Sequence, residues 1–420
     1  CSVSSSSIPV QTNGCHRPKT RHNSVWFRSP HRQVDGSLRH TVTAQKDSSL
    51  NPMRKKPRIL LLASHLYIGG AENVIVHLLK NIDRRRFDCY ALCLDRLGTI
   101  GESLNENGFP VYTLPKSKFF KHNYFSSLEL VKFVHKHKID IIHSHTTHTL
   151  IDSALCKCFL PYMKVVHTFH FGNYPHLQKR ELLYEKLFSR FPDVLIAVGN
   201  DQYQKLAATF PAIRTKLKIV RNGIPAPPDR DHDSKKMETR KDTVAIGTVS
   251  TLIPQKGTTY LLDTAYILSR RYDHLKFYIA GDGPLRDSLE RKAQKLGLNH
   301  VVEFLGWIDD ASSKLFPTVD IFFLPSLWEA MPMVILEAMA NKIPIVSSSV
   351  GENRYIIENG WDGFLFRPRN TEEMAGKLAQ LIDDPGLRGQ FAQRAYKKFC
   401  DNFTLRHMVD NYQAIYQQLT

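Results

Sequence analysis

Glu329 and Glu337 stand eight positions apart in PSLWEAMPMVILEAMA (325–340), a Pro-punctuated loop that runs into a helical pattern. The apolar run VDIFFLP leads straight into it. A loop at the carboxyl end of a buried strand, opening a helix, is where open α/β sheets bind nucleotides and other anions. Two carboxylates there repel phosphate, so their chemistry is to accept hydrogen bonds from sugar hydroxyls. The N–H groups at the helix start would take the phosphates. That combination predicts a sugar nucleotide.

Two further turns fit the same chemistry. TLIPQKG (251–257) follows an apolar run, and its Lys256–Gly257 pair brings one positive charge and free N–H groups to a helix start, which suits a diphosphate. Alone, a lysine at a helix start is usually just solvated. GDGP (281–284) follows LKFYIA; Gly281 and Gly283 allow close backbone approach, and a tight strand-to-helix turn explains them equally well. Gly69–Gly70 has the same form without G-x-G-x-x-G, which disfavours a nicotinamide cofactor. His170 ends VVHTFH, where a strand's carboxyl end would face a cleft, whereas His167 is expected to pack. His143, His145 and His148 have metal-like spacing but no carboxylate nearby, so no metal site is expected.

These residues need a scaffold, and the chain supplies one twice. From Pro57, short apolar runs (RILLLAS, YALCL, FPVYTL, IDIIHSH, KVVHTFH, DVLIAVG, KLKIVRNGI) alternate with helical patterns such as ENVIVHLLKNI. That rhythm predicts a parallel sheet covered on both faces. It stops at the Pro-rich, then charged IPAPPDRDHDSKKMETRKD (224–242) and restarts at TVAIGTVS. The expected organisation is a disordered basic tail (1–56), a first Rossmann-like domain (57–222), a linker (223–242), a second such domain (243–402) and a C-terminal helix (403–420). Two doubly wound domains around a hinge imply a cleft between them.

The chain of 420 residues carries 57 Lys/Arg against 40 Asp/Glu, a formal charge of +17, much of it in the tail, where only Asp35 and Asp47 are acidic. That balance fits phosphates or anionic lipid, and no pattern of a nucleic-acid module is present. No apolar run approaches the roughly 20 residues that span a bilayer. Seven cysteines form no disulfide framework, which points to a reducing, cytoplasmic setting; Cys89, Cys93, Cys156 and Cys158 read as small structural residues. The Cys1 start reads as a processed chain, a fragment or a translated upstream extension. Residues 116–138 interleave Lys and His with Phe and Tyr before an amphipathic helix, the composition of a segment lying on the inner face of an anionic membrane. A loop and a surface helix whose aromatics fill the core is the competing expectation.

In order, IGGAE, HTFH, RNGI, LIPQKG, IAGDGPL, VEFLGW and the E-x7-E segment resemble the retaining glycosyltransferases of family 4, over some 360 residues from about Pro57. The resemblance implies the GT-B fold, in which the second domain binds a nucleotide-diphosphate sugar and the first binds a glycan or lipid-linked acceptor, with no other cofactor and no metal. It places Glu337 on the ribose, Glu329 on the donor sugar and Lys256 on the diphosphate, with N–H groups around Met333 and Val334. Gly70 and His170 would sit beside the transferred sugar, and Thr251, Gly281 and Gly283 in the donor loops. Three positions depart: Thr251 stands where the family usually has Arg, Ala330 where it has Gly, and Tyr355 where a Glu is common. Arg354 and Arg221 are the candidates to supply the lost phosphate contact. The departures leave a non-catalytic nucleotide-sugar binder, and the fold leaves a sugar-nucleotide epimerase, as alternative readings.

Overall fold

The computed structural model describes residues 56–67, 69–114, 126–171, 174, 177–227, 243–310 and 314–420. The tail to residue 55, residues 116–125 of the basic aromatic segment and 228–242 of the linker lie outside them.

Among the described residues, seven parallel strands form the first sheet: β1 (Arg58–His65), β2 (Asp88–Arg96), β3 (Val111–Thr113), β4 (Ile141–Ser144), β5 (Lys164–Phe169), β6 (Val194–Ala197) and β7 (Leu217–Ile219), in the order β3-β2-β1-β4-β5-β6-β7. Six more form the second: β8 (Val244–Val249), β9 (Leu275–Ala280), β10 (Val302–Gly306), β11 (Ile321–Leu324), β12 (Ile345–Ser348) and β13 (Phe364–Phe366), ordered β10-β9-β8-β11-β12-β13. Each order reverses direction once, between β1 and β4 and between β8 and β11, and such a switch point opens a crevice at the strands' carboxyl ends.

Alternation along β1 shows why both faces are covered. Ile59, Leu61 and Ala63 pack under helix α1 (Gly70–Asn81), while Leu60 and Leu62 meet Leu130 and Val134 of α3 (Ser126–His137) on the opposite face. Helix α2 (Gly98–Glu106) shares the α1 face by right-handed crossover, and α4 (Thr147–Phe159), α5 (Lys179–Phe188) and α6 (Asn200–Thr209) share that of α3. The second sheet is covered by α7 (Thr258–Ser269), α8 (Arg286–Lys295), α9 (Met333–Ala340), the short α10 (Asn353–Ile356) and α11 (Thr371–Asp383).

The last helix crosses back. After α12 (Pro385–Asn402), helix α13 (Leu405–Leu419) buries Met408, Val409, Tyr412, Ile415 and Tyr416 in the core of the first sheet. Asn370, Asp384 and Thr404 start α11, α12 and α13 by accepting a hydrogen bond from the backbone N–H three residues on. The described part of the basic aromatic segment is α3, whose Leu130 and Val134 are buried and whose Phe133 stacks on His137 at 4.2 Å, so these apolar side chains serve the core. Cys158 also departs from its expected place: Cys156 is buried, but Cys158 two residues on is exposed.

Candidate active site

The two loops at the second switch point are laced together by backbone contacts. After β8 the chain makes a tight turn at Pro254–Lys256 and enters α7 through Gly257, at φ 67°. A side chain at Gly257 would lie 2.1 Å from the Pro325 carbonyl, so the β11 loop approaches where only glycine fits. Leu327 N–H donates to the Gln255 carbonyl at 2.7 Å, and Gln255 Nε2 donates to that of Trp328 at 3.1 Å. Residues 73 apart in sequence are thereby fixed side by side: Lys256 Nζ donates to Glu329 Oε1 at 2.7 Å.

Glu329 is only 5% exposed. Lys256 and Ser326 Oγ (2.7 Å) both bond its Oε1, leaving Oε2 with no hydrogen bond among the described residues. A carboxylate with one satisfied oxygen can still accept from a hydroxyl through the other. Glu337, on the second turn of α9, is different. Its half-buried carboxyl has no hydrogen-bond partner among the described residues, and burial, with Asp310 nearby, pushes its pKa up to about 7. Helix α9 begins after Pro332 with no side-chain cap, and Met333 and Val334 of its first turn line the same space.

That space is a cleft of about 500 Å³ between the two sheets. The second domain contributes Thr251, Lys256, Gly281, Glu329, Met333, Val334 and Glu337, and the first contributes Gly70 and His170 from beyond β1 and β5. Gly70 faces open space, with no atom within 4 Å of where a Cβ would stand. His170 Nε2 lies 3.0 Å from His145 Nδ1, and burial pulls its pKa down to about 4, so the ring is neutral at pH 7. His167 packs instead, 1% exposed, with Nδ1 2.9 Å from Ser144 Oγ.

Gly283 does not line the cleft. A side chain there would strike the Leu252 backbone at 2.7 Å, so this glycine lets the β9 turn close on the β8 loop. Neither arginine offered for Thr251 reaches the cleft. Arg354 is paired with Asp201, and Arg221 Nε lies 3.9 Å from the fully buried Glu352. Glu352 in turn accepts from Asp201 N–H at 2.9 Å at the start of α6, tying the domains together. Tyr355 also turns away, its hydroxyl 3.2 Å from Gln204 Oε1. Lys256 is thus the one lysine or arginine among the described residues lining the cleft. Trp307, Trp328 and Gln255 line it too and were missed. Trp307 lies within VEFLGW, where an exposed tryptophan just after a strand was the available signal.

Family models for known proteins match in two blocks: the Glycosyltransferase Family 4 model over residues 68–226 and the Glycosyl transferases group 1 model over 229–398. The chain belongs to the group 1 glycosyltransferases and is a transferase of GT-B fold. A glycosyltransferase from Methanocaldococcus jannaschii is 30% identical over 283 residues, covering 64% of this chain and 72% of its own. The Escherichia coli UDP-Gal:alpha-D-GlcNAc-diphosphoundecaprenol alpha-1,3-galactosyltransferase is 26% identical over 365 residues, 83% of this chain and 94% of the relative. Among solved structures, Anabaena HepE in complex with UDP superimposes with a TM-score of 0.76 at 22% identity, covering 86% of this chain and all of HepE. At that identity the likeness bears on the fold. Thermosynechococcus elongatus sucrose-phosphate synthase shares it too, at a TM-score of 0.71 and 15% identity over 87% of this chain and 99% of its own.

Proposed function

We propose that this glycosyltransferase moves a sugar from a uridine diphosphate sugar to a hydroxyl of a glycan or lipid-linked acceptor, retaining anomeric configuration and using no metal or other cofactor. The observation that carries the reading is the convergence of Lys256, Glu329, Glu337, the start of α9 and His170 on one cleft at the two switch points. Uridine is favoured because HepE is solved with UDP and the E. coli relative is named for a UDP-sugar.

In this mechanism the Glu337 carboxylate accepts hydrogen bonds from the two ribose hydroxyls. Glu329 Oε2 accepts from a hydroxyl of the donor sugar. As the anomeric C–O bond to phosphate breaks, negative charge builds on the diphosphate, facing Lys256 and the α9 N–H groups. The acceptor oxygen bonds the anomeric carbon from the same face, and its proton passes to the departing phosphate oxygen. No carboxylate nucleophile is needed. Asn73 lines both the cleft and a second cavity of about 740 Å³, along α1 and α2, where Lys80, Thr99 and Ser103 mix with Val76 and Leu104. This groove supports entry of the acceptor along the first domain.

The test is turnover of UDP-sugars in excess EDTA, with the anomeric configuration of the product read by proton NMR. Transfer or slow donor hydrolysis with retention is expected. Inversion overturns the mechanism, donor isomerisation without acceptor favours an epimerase, and binding without turnover favours a silent binder.

The reading extends to a peripheral position on the inner, cytoplasmic membrane face. No helix among the described residues is long and apolar enough to cross a membrane. Yet Leu155 and Phe159 on α4, and Leu183 and Leu187 on α5, form i,i+4 stripes that face outward from adjacent helices, extended by Tyr162 and Phe191. Phe159 and Leu183 are each 61% exposed. Lys179, Arg180, Lys186 and Arg190 accompany them, which complements an anionic bilayer better than a second basic chain. The full chain should sediment with phosphatidylglycerol vesicles, and Leu183→Ser/Leu187→Ser should reduce binding at least about tenfold, given about 1.5–3 kcal/mol per buried leucine. Equal binding by that variant contradicts this face.

A further inference from the structure

We infer that His145 is a positioning residue that fixes the tautomer of His170, so that His170 presents Nδ1–H to the cleft as a hydrogen-bond donor. The inference deepens the proposed function and rests on it for the role of His170.

The two rings follow the ends of neighbouring strands. His145 comes directly after β4, His170 directly after β5, and the strands pair in parallel with Ser144 opposite His167. His145 Nδ1 and His170 Nε2 are 3.0 Å apart and the rings are tilted by only 20°. The His145 ring has no other hydrogen-bond partner among the described residues. Its other face lies against His143, with ring centroids 4.0 Å apart, and its backbone N–H is taken by Thr149 Oγ1. His143 is locked in turn by the Tyr416 hydroxyl of α13 at 2.6 Å on Nδ1 and by Thr168 Oγ1 at 2.8 Å on Nε2.

One proton must lie between His145 and His170, and the rest of the His145 ring decides whose it is. His145 Nε2 is buried with no hydrogen-bond partner. If His170 supplied the shared proton, neutral His145 would carry its own on Nε2, a buried N–H with nowhere to donate. If His145 Nδ1–H donates, Nε2 is only an unmet lone pair, which interiors tolerate better than an unmet N–H. The second arrangement is therefore preferred, and His170 Nε2 accepts. Burial keeps both rings neutral near pH 7. A neutral His170 that accepts at Nε2 carries its proton at Nδ1, the nitrogen with no protein partner among the described residues. His170 then donates to a substrate oxygen and has no free lone pair to act as a base, which agrees with the acceptor's proton leaving on phosphate.

The experiment compares His145→Asn, whose amide can place a donor near the Nδ1 position, with His145→Phe, which fills the ring volume without one. After wild-type turnover is established, Phe is expected to lower kcat about tenfold to a hundredfold, with UDP-glucose affinity unchanged. Asn is expected to recover most of kcat. Equal kcat in the two folded variants overturns the inference, since packing alone would then explain both. Nitrogen-15 NMR of the histidine-labelled full chain, with signals assigned by single variants, reads the wild type directly. Protonation of His145 at Nδ1 is expected, and protonation at Nε2 overturns the inference whatever the variants do. If the wild type fails to turn over, the proposed function fails while the tautomer result stands.

Discussion

Lys256→Gln should lower kcat for sugar transfer by about 10²–10³, the usual cost of removing one preorganised group that meets developing charge. Among the described residues Lys256 is the one lysine or arginine lining the cleft, because Thr251 replaces the arginine of the resemblance and neither Arg354 nor Arg221 reaches it. Gln is more informative than Ala. Lys256 and Glu329 form a pair with side-chain exposures of 20% and 6%. Truncating one partner of a fully buried pair costs about 3–5 kcal/mol, and less here because Lys256 is partly solvated. Lys256→Ala should therefore lose both rate and thermal stability, whereas Gln keeps a donor toward Glu329 and should hold Tm near wild type. Steady-state kinetics with a thermal melt separates the two effects. A Gln variant within threefold of wild-type kcat would remove Lys256 from the mechanism.

Glu337→Gln should weaken UDP-glucose binding by at least about tenfold, because hydrogen bonds to a charged group contribute about 1.5–3 kcal/mol each. It should also abolish a pH dependence that wild type shows. In the empty protein burial and Asp310 hold the Glu337 carboxyl near 7, and ribose needs it ionised, so binding releases a proton and lowers its pKa. Affinity should therefore fall as pH drops below about 7, approaching tenfold per unit, and level off above it. UDP-glucose is the right probe because its diphosphate, esterified at both ends, takes up no proton in this range. Calorimetry from pH 5.5 to 8 measures both effects, and a wild-type affinity as flat as that of the Gln variant would mean Glu337 does not change protonation on binding.

Much of this was visible in the chain because it is local. RILLLAS and VDIFFLP are short apolar runs bounded by turn residues, the pattern of a buried strand, and each glycine turn sits where its strand ends. The spacing from Glu329 to Glu337 placed one carboxylate in the loop and the other on the helix. What stayed hidden depends on partners distant in sequence. The Lys256–Glu329 pair exists because Gly257 admits the Pro325 carbonyl. Tyr416 reaches His143 across 273 positions. Gly283 and Gly281 look alike in GDGP, yet only Gly281 faces the cleft. The outward stripes of α4 and α5 carry the same i,i+4 spacing as a core face, so periodicity could not say which way they point.

Calorimetric titration of UDP, GDP and ADP into the wild type and into Glu337→Ala, without added metal, tests the donor site most directly. Selective binding of UDP by the wild type, lost in the variant, is the predicted result. Failure of the wild type to bind any of the three, or undiminished UDP binding by the variant, would contradict it.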